Sequence, residues 1–256
     1  MQKLILCDDG NLLKVAPLAE ANHCGIEFHS FCEPYLTRVG PNAVENHLCT
    51  INKIELRSLH GPFMDLCPGS FDAKVRDVAK HRFDFALNIA KKLNCAHVIL
   101  HHGYIPGTSR PRGWLSRCTS FYQDFMQSVP DPISVHIENV DNLLDRDADL
   151  ISDVIASVGR LNLDVCLDVG HAHCFSRTPV LKWIERLGHQ IGYVHLNDTH
   201  GETDEHLSLG EGSMPMIEVC QALLEYAPGA IWAIEVQVPQ IEQSITWLKD
   251  NGFLKD

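Results

Sequence analysis

The chain has 256 residues, is 45% hydrophobic and carries 33 acidic against 21 basic side chains, a formal charge of −12. That length and apolar content bury a substantial core, and the 17 glycines and 13 prolines are scattered without forming a linker, so one domain is expected over residues 1–256. The acidic balance argues against a general polyanion-binding surface, no segment is long and apolar enough for a membrane span, and Met1–Cys7 looks like neither a signal nor a transit peptide, so a cytoplasmic protein with no membrane partner is expected.

In chain order, short apolar runs alternate with longer amphipathic stretches. A strand over Lys3–Cys7 precedes a helix over Leu12–Asn22, and a strand over Ile26–Cys32 precedes a helix over Asn42–Ile51. The run Ile54–His60 leads into the longest helical pattern, Phe71–Leu93, in which Val75, Val78, Phe83, Phe85, Ala86, Ile89 and Ala90 fall near helical spacing opposite a charged face. Then come His97–His101 with Trp114–Val129, Ile133–Val140 with Ala148–Val158, Leu163–Asp168 with Pro179–Leu187, Ile191–Leu196 with Met216–Tyr226, and Ile231–Val236 with Ile241–Leu248. Eight strand-then-helix units in a chain of this length predict an α/β fold, the parallel (β/α)8 TIM barrel. An open doubly wound sheet is the competitor, but its glycine-rich phosphate turn, G-x-G-x-x-G after the first strand, is missing.

The 10 cysteines sit singly, mostly inside apolar runs and without a C-x-x-C pair, which predicts free, buried thiols rather than a disulfide framework. The 15 histidines are the unusual count, and their positions matter more than their number.

A parallel barrel does its chemistry on the loops at the C-terminal ends of its strands. The third predicted strand ends at His60, the fourth at His101-His102, the fifth at Ile137-Glu138, the sixth in Leu167-Asp168-Val169-Gly170-His171, the seventh at His195 and the eighth at Ile234-Glu235. After His195 the stretch Tyr193–Gly212 becomes a polar loop carrying Asp204 and His206, two apart, so that in an extended segment both side chains point to one side. Imidazole nitrogen and carboxylate oxygen are donors for zinc or manganese. Taken singly, each residue has a plainer reading: a strand-end histidine bonded at the rim, a glutamate paired with a base, or an Asp168–His171 hydrogen bond. Buried acids are rare unless paired or coordinated, and six consecutive strands ending this way are hard to obtain as decoration. Nine donors exceed what one ion takes, so one to three divalent ions per chain are expected, with some donors in supporting positions if the number is one.

Three motifs give the chain a familiar look: L-D-V-G-H at Leu167–His171, V-H-L-N-D at Val194–Asp198 and D-E-H-L-S-L-G-E-G at Asp204–Gly212, with a weaker match at Gly25–Phe28. Together they resemble the xylose isomerase-like barrel superfamily, which holds endonuclease IV and the sugar-phosphate isomerases and epimerases, from about the third strand to the eighth. Resemblance to endonuclease IV implies nine metal-binding positions: His60, His101 rather than His102, Glu138, Asp168, His171, His195, Asp204, His206 and Glu235. Resemblance to the epimerase branch implies one ion on Glu138, Asp168, His195 and Glu235, with Glu138 and Glu235 also moving the substrate proton.

The first functional expectation is therefore a metal-dependent isomerase or epimerase of a sugar or sugar phosphate. Arg110 or Arg112 would hold a phosphate and Trp114 would cover an apolar sugar face. The alternative is an endonuclease IV-like hydrolase of abasic DNA. Against it, the segment after His60 reads Gly-Pro-Phe-Met-Asp-Leu, and the loop from Glu33 to Arg38 lacks the arginine- and glutamine-rich look of a loop that penetrates DNA. The cluster of Arg110, Arg112, Trp114 and Arg117 also reads as a cap on the following helix. A third expectation, a barrel holding metal only for structure or sensing, fits poorly with a carboxylate- and histidine-rich site at an open mouth. The sequence is compatible with a homo-oligomer.

Overall fold

The computed structural model describes residues 2–33, 42–103, 111–140 and 147–255, the side chains of residues 111, 112 and 147 excepted. Its strands are β1 Leu4–Cys7, β2 Gly25–Phe28, β3 Arg57–His60, β4 His97–His101, β5 Ser134–Glu138, β6 Leu163–Asp168, β7 Ile191–Leu196 and β8 Ile231–Ile234. They pair in sequence order as a closed barrel, all parallel, and the ring shuts where Ile5 of β1 lies beside Ala233 of β8. The expected (β/α)8 barrel is the observed fold. The strands are almost wholly buried because the lumen covers one face and the helices cover the other, which is why they read as apolar runs without clean alternation.

The described helices are α1 Leu12–Ala21, α2 Ala43–Thr50, α3 Ala73–Leu93, α4 Pro111–Phe125, α5 Asp147–Val158, α6 Val169–Phe175, α7 Val180–Leu187, α8 Met216–Tyr226 and α9 Ile241–Asp250. The longest, α3, starts where the Asp72 carboxylate accepts the Lys74 amide at 2.8 Å and ends at Asn94 in a left-handed conformation, φ 55°. Its buried stripe is Ala79, Phe83, Ala86, Ala90 and Leu93, whereas Val75 and Val78 in the first two turns lie exposed. Strands β2 and β3 are shorter than their apolar runs because pairing stops where the chain bends away after Phe28 and begins only at Arg57.

The short helix α6 follows β6 without a loop and was not anticipated as a separate element. Its first turn forms because the Asp168 carboxylate accepts the His171 amide at 2.6 Å. Gly170 is required there, since a Cβ would overlap Oδ1 of the buried Asn197.

Two apolar clusters follow from the closure. The larger fills the layer between barrel and helices, and the smaller, Ile5, Cys7, Ile99, Cys166, Tyr193, Ile231 and Ala233, lies together as the second cluster, each of its members on a strand. None of the 10 cysteines forms a disulfide, and 8 of them, Cys7, Cys24, Cys32, Cys67, Cys95, Cys118, Cys166 and Cys220, are buried. Among the described residues no helix is long and apolar enough to cross a membrane.

Trp232 on β8 is fully buried in the outer layer and Leu161 is fully exposed. Trp232→Ala is expected to cost about 3–5 kcal/mol and to lower the thermal midpoint, while Leu161→Ser stays within about 0.5 kcal/mol of the parent. Denaturant melts of the two variants check the difference.

Candidate metal centre

Side chains alternate across a strand, so a residue two positions beyond a lumen-facing one also faces the lumen. Ile99, Cys166, Tyr193 and Ala233 of the smaller cluster thus place His101, Asp168, His195 and Glu235 one rung higher, at the mouth. Ser58 and His136, both buried, stand in the same relation to His60 and Glu138. The nine donors expected from the sequence converge. Glu138 is the hub: its Oε2 lies 3.1 Å from Nε2 of both His60 and His101, and its Oε1 lies 3.1 Å from Nδ1 of His195 and 3.6 Å from Nδ1 of His171. His195 Nδ1 also stands 3.0 Å from Glu235 Oε2 and 3.9 Å from Asp168 Oδ2. On the outer side Asp204 Oδ2 reaches Nε2 of His171 at 3.2 Å and of His206 at 3.0 Å.

Each element of the recognised motifs has a visible job. Asn139 brackets Asp168, donating to its carbonyl at 2.9 Å and accepting its amide at 2.7 Å, and Asn197 donates to Asp168 Oδ2 at 3.1 Å. The loop bearing Asp204 and His206 is tied back by an antiparallel bridge between Asp198 and Leu207. The buried Asp198 carboxylate then accepts the amides of Thr199, Gly210 and Met214 at 2.8, 3.0 and 3.3 Å. Gly212 is obligatory in that turn, because a Cβ would overlap the same carboxylate. Backbone carbonyls orient three of the rings: His60, His171 and His206 present Nδ1 to the carbonyls of Gly61, Asn139 and Glu235 at 2.9, 2.8 and 2.8 Å, which turns Nε2 inward.

The charges are strongly coupled. Burial pushes the Asp168 carboxyl up to about 7. Burial also opposes the charge on Glu235, but His195 outweighs it and brings that carboxyl down to about 2. Glu138 follows the same balance, held well below the usual carboxylate range by His195 and His101. Burial works against a proton on His206, yet the hydrogen bond to Asp204 prevails and raises the imidazole to about 10. Positive charge is thus drawn onto His60, His171, His195 and His206, whereas burial pushes the His101 imidazole down.

These residues suit a divalent cation. Among the described residues five groups have donor atoms all within 4.8 Å of one another; three are built from the nine, His60–His101–Glu138, His171–Asp204–His206 and Glu138–Asp168–His195–Glu235, and the other two, Cys7–Glu27–His29 and Glu138–Cys166–His195, each include a buried thiol. Glu235 Oε2 is buried and makes no hydrogen bond, its approach to His195 being misaligned for one. An unshared carboxylate oxygen beside nitrogen and oxygen donors is what a metal ion fills. The cavity over the cluster measures about 590 Å³, the size of a small-molecule site.

A family profile described as xylose isomerase-like TIM barrel matches residues 18–251. The chain belongs to this family. Among solved structures, a D-tagatose 3-epimerase-like protein superposes on the barrel with TM-score 0.81 at 24% identity, covering 98% of this chain and 97% of that one. A Thermus thermophilus protein soaked with zinc chloride superposes with TM-score 0.76 at 23% identity, covering 99% and 98%. The fructoselysine 3-epimerase of Escherichia coli O157:H7 is 22% identical over 166 residues, 60% of this chain and 57% of the enzyme. The chain spans about three fifths of the length of the curated relatives it matches.

Within this xylose isomerase-like barrel the expected substrate-binding residues fare differently from the donors. Trp114 does not cover a sugar: it is fully buried, packed over Gly69 and edge-on to His102 at 5.6 Å, because the apolar face of α4 turns its indole into the helix layer. Arg117 donates to the Gly69 carbonyl at 2.8 Å and lies over the Phe71 ring, bracing the loop after β3. Arg110 and the Arg112 side chain lie outside the described residues. Histidines apart, Lys14 is the basic side chain among the described residues lining the cavity.

The sequence reading placed the second strand but assigned Glu27 and His29 no part in the site. Glu27 is fully buried in the lumen and lies 3.1 Å from His195 Nε2, and His29 lines the cavity 2.9 Å from Glu27. A glutamate inside the four-residue strand G-I-E-F was the available signal.

Asp198→Ala strands three backbone donors beneath the Asp204–His206 loop. A loss of about 1–3 kcal/mol is expected, with faster amide exchange at Gly210 and Met214 and unchanged exchange in β1–β4. Hydrogen exchange followed by mass spectrometry reads both.

Proposed function

We propose that this xylose isomerase-like barrel is a divalent-metal-dependent isomerase or epimerase that moves a proton next to the carbonyl of a sugar or sugar phosphate. The observation that carries the reading is the pair Glu138 and Glu235, brought from β5 and the end of β8 to the same nitrogen of His195, 3.1 and 3.0 Å away, at the floor of a small-molecule cavity. Similarity to a D-tagatose 3-epimerase-like structure and to fructoselysine 3-epimerase supports it.

Glu138, Asp168, His195 and Glu235 would hold the ion. Bound there, a zinc or manganese ion supplies Lewis-acid polarisation of a substrate oxygen. Glu235 takes the proton from the carbon beside the carbonyl, since its Oε2 has no hydrogen bond, whereas both oxygens of Glu138 are engaged by imidazoles. Glu138, supplied with a proton by the His60 imidazole 3.1 Å from its Oε2, returns one to that carbon. His171 and His206 line the cavity with their Nε2 atoms on Asp204 Oδ2, which leaves that carboxylate and its two imidazoles facing the substrate space. Histidines apart, Lys14 is the basic side chain among the described residues of the cavity, which favours a free sugar over a sugar phosphate.

A second reading rests on its own observation. The three donor groups share Glu138 in the first and third and use all nine residues, an arrangement suited to two or three ions and to hydrolysis of a phosphodiester at an abasic site. The number of ions decides between them.

Elemental analysis of the purified chain is expected to give one ion per chain, and the protein is expected to wash solvent deuterium into the carbon-bound position of a ketose. Glu235→Gln should lower kcat by about 10²- to 10⁴-fold. No exchange across a broad ketose panel, together with incision of an abasic duplex by protein holding two or three ions, overturns the isomerase reading in favour of the second.

Under the second reading, seating an ion on His206 Nε2 would displace a proton wherever the pH lies below the raised value of about 10. Zinc affinity at the outer group should therefore climb with pH, by up to about tenfold per unit for each proton released. Calorimetry in buffers of different ionisation enthalpy measures that proton count.

A further inference from the structure

Of the four histidines whose outer nitrogen can be followed, three, His60, His171 and His206, are oriented by a backbone carbonyl. His195 is the exception. It is fully buried and points the opposite nitrogen inward: Nδ1 faces Glu138, Asp168 and Glu235, while Nε2 lies 3.1 Å from Glu27 Oε1. No peptide carbonyl serves that nitrogen; a carboxylate from the neighbouring part of the lumen does.

Glu27 is itself held from several sides. Tyr193 Oη donates to its Oε2 at 2.5 Å, Ser58 Oγ lies 3.3 Å from the same oxygen, and His29 Nε2 lies 2.9 Å from Oε1. Tyr193 and Ser58 are joined at 2.8 Å, so two strands buttress the carboxylate from below. Every side chain in this brace sits on β3, β7 or just past β2, on the rung beneath the donors or beside it. Such a brace does more than fill the lumen: it leaves Glu27 one orientation, with Oε1 presented to His195.

We propose that Glu27 is the positioning residue of the centre, fixing His195 with Nε2–H outward and Nδ1 toward the three carboxylates, and strengthening that nitrogen as a donor. A carboxylate on the far side of a ligating imidazole both selects the tautomer and makes the ring more basic than a carbonyl would. The inference rests on the reading of Glu138, Asp168, His195 and Glu235 as a metal site, and extends it to a residue that touches neither ion nor substrate.

The test uses the full-length chain, with zinc affinity measured by competition against a chromophoric chelator and the His195 ring followed by nitrogen-15 NMR. Glu27→Gln, nearly the same shape without the charge, should weaken zinc binding about 10- to 100-fold. The wild-type protein should show a downfield, slowly exchanging Nε2–H on His195 with and without zinc, lost in Glu27→Ala. Tyr193→Phe, which removes the strongest brace, should weaken zinc in the same direction and covers the case in which Glu27 variants do not fold. Wild-type affinity in Glu27→Gln, or a His195 ring with Nδ1–H outward and Nε2 on zinc, overturns the inference. Failure of the wild-type chain to bind zinc overturns the metal reading instead, and the protected Nε2–H in the metal-free protein then decides the role of Glu27 alone.

Discussion

Carboxylates inside a barrel are the constraint on which this molecule turns. Glu27, Glu138 and Asp168 are at most 1% exposed, and Glu235 stands just above them. Each would cost several kcal/mol to bury as an isolated ion. Imidazoles offset that cost. His195 alone touches Glu27, Glu138 and Glu235, and the rings of His60, His101 and His171 surround the rest. The arrangement is stable only as a set, since removing one member leaves its partners buried and uncompensated.

The fold supplies that set through strand parity. Closing eight parallel strands points alternate residues into one lumen, and the top rung of β3 to β8 then carries His60, His101, Glu138, Asp168, His195 and Glu235. The remaining donors need local devices. A helix starting directly at the end of β6 brings His171 over the mouth, and a loop pinned by Asp198 folds Asp204 and His206 back onto it. Chemistry and stability therefore share residues: Asp168 both caps α6 and faces His195, and the Glu235 carbonyl orients His206 while its side chain faces the cavity.

The distinction between the two enzymatic readings comes down to how Glu138 is used. Engaged at both oxygens by three imidazoles, it has the surroundings of a shared ligand. Glu235, with an oxygen that bonds to nothing, has those of a proton acceptor. The two glutamates thus differ in their surroundings although both meet the same nitrogen of His195.

Much of this was legible in the residue order. Alternation of apolar runs and amphipathic stretches specified the barrel, because both signals are local and each strand is short enough to be delimited by its own composition. Six of the nine converging side chains were legible for the same reason, a His, Asp or Glu at the end of an apolar run standing out without any partner in view; His171, Asp204 and His206 stood out only within the motifs that follow those ends. Trp114 was misplaced because a tryptophan beside arginines has the same local appearance whether its helix turns it outward or, as here, into the core. Glu27 was missed because its importance lies wholly in what it meets, a histidine 168 residues away. By itself the sequence determined which side chains are lifted to the mouth, a matter of period and strand ends. Which nitrogen each ring presents, which carboxylate oxygen is left unshared, and which buried acid supports another were decided only by closure of the barrel, since those depend on distances between strands that no local pattern encodes.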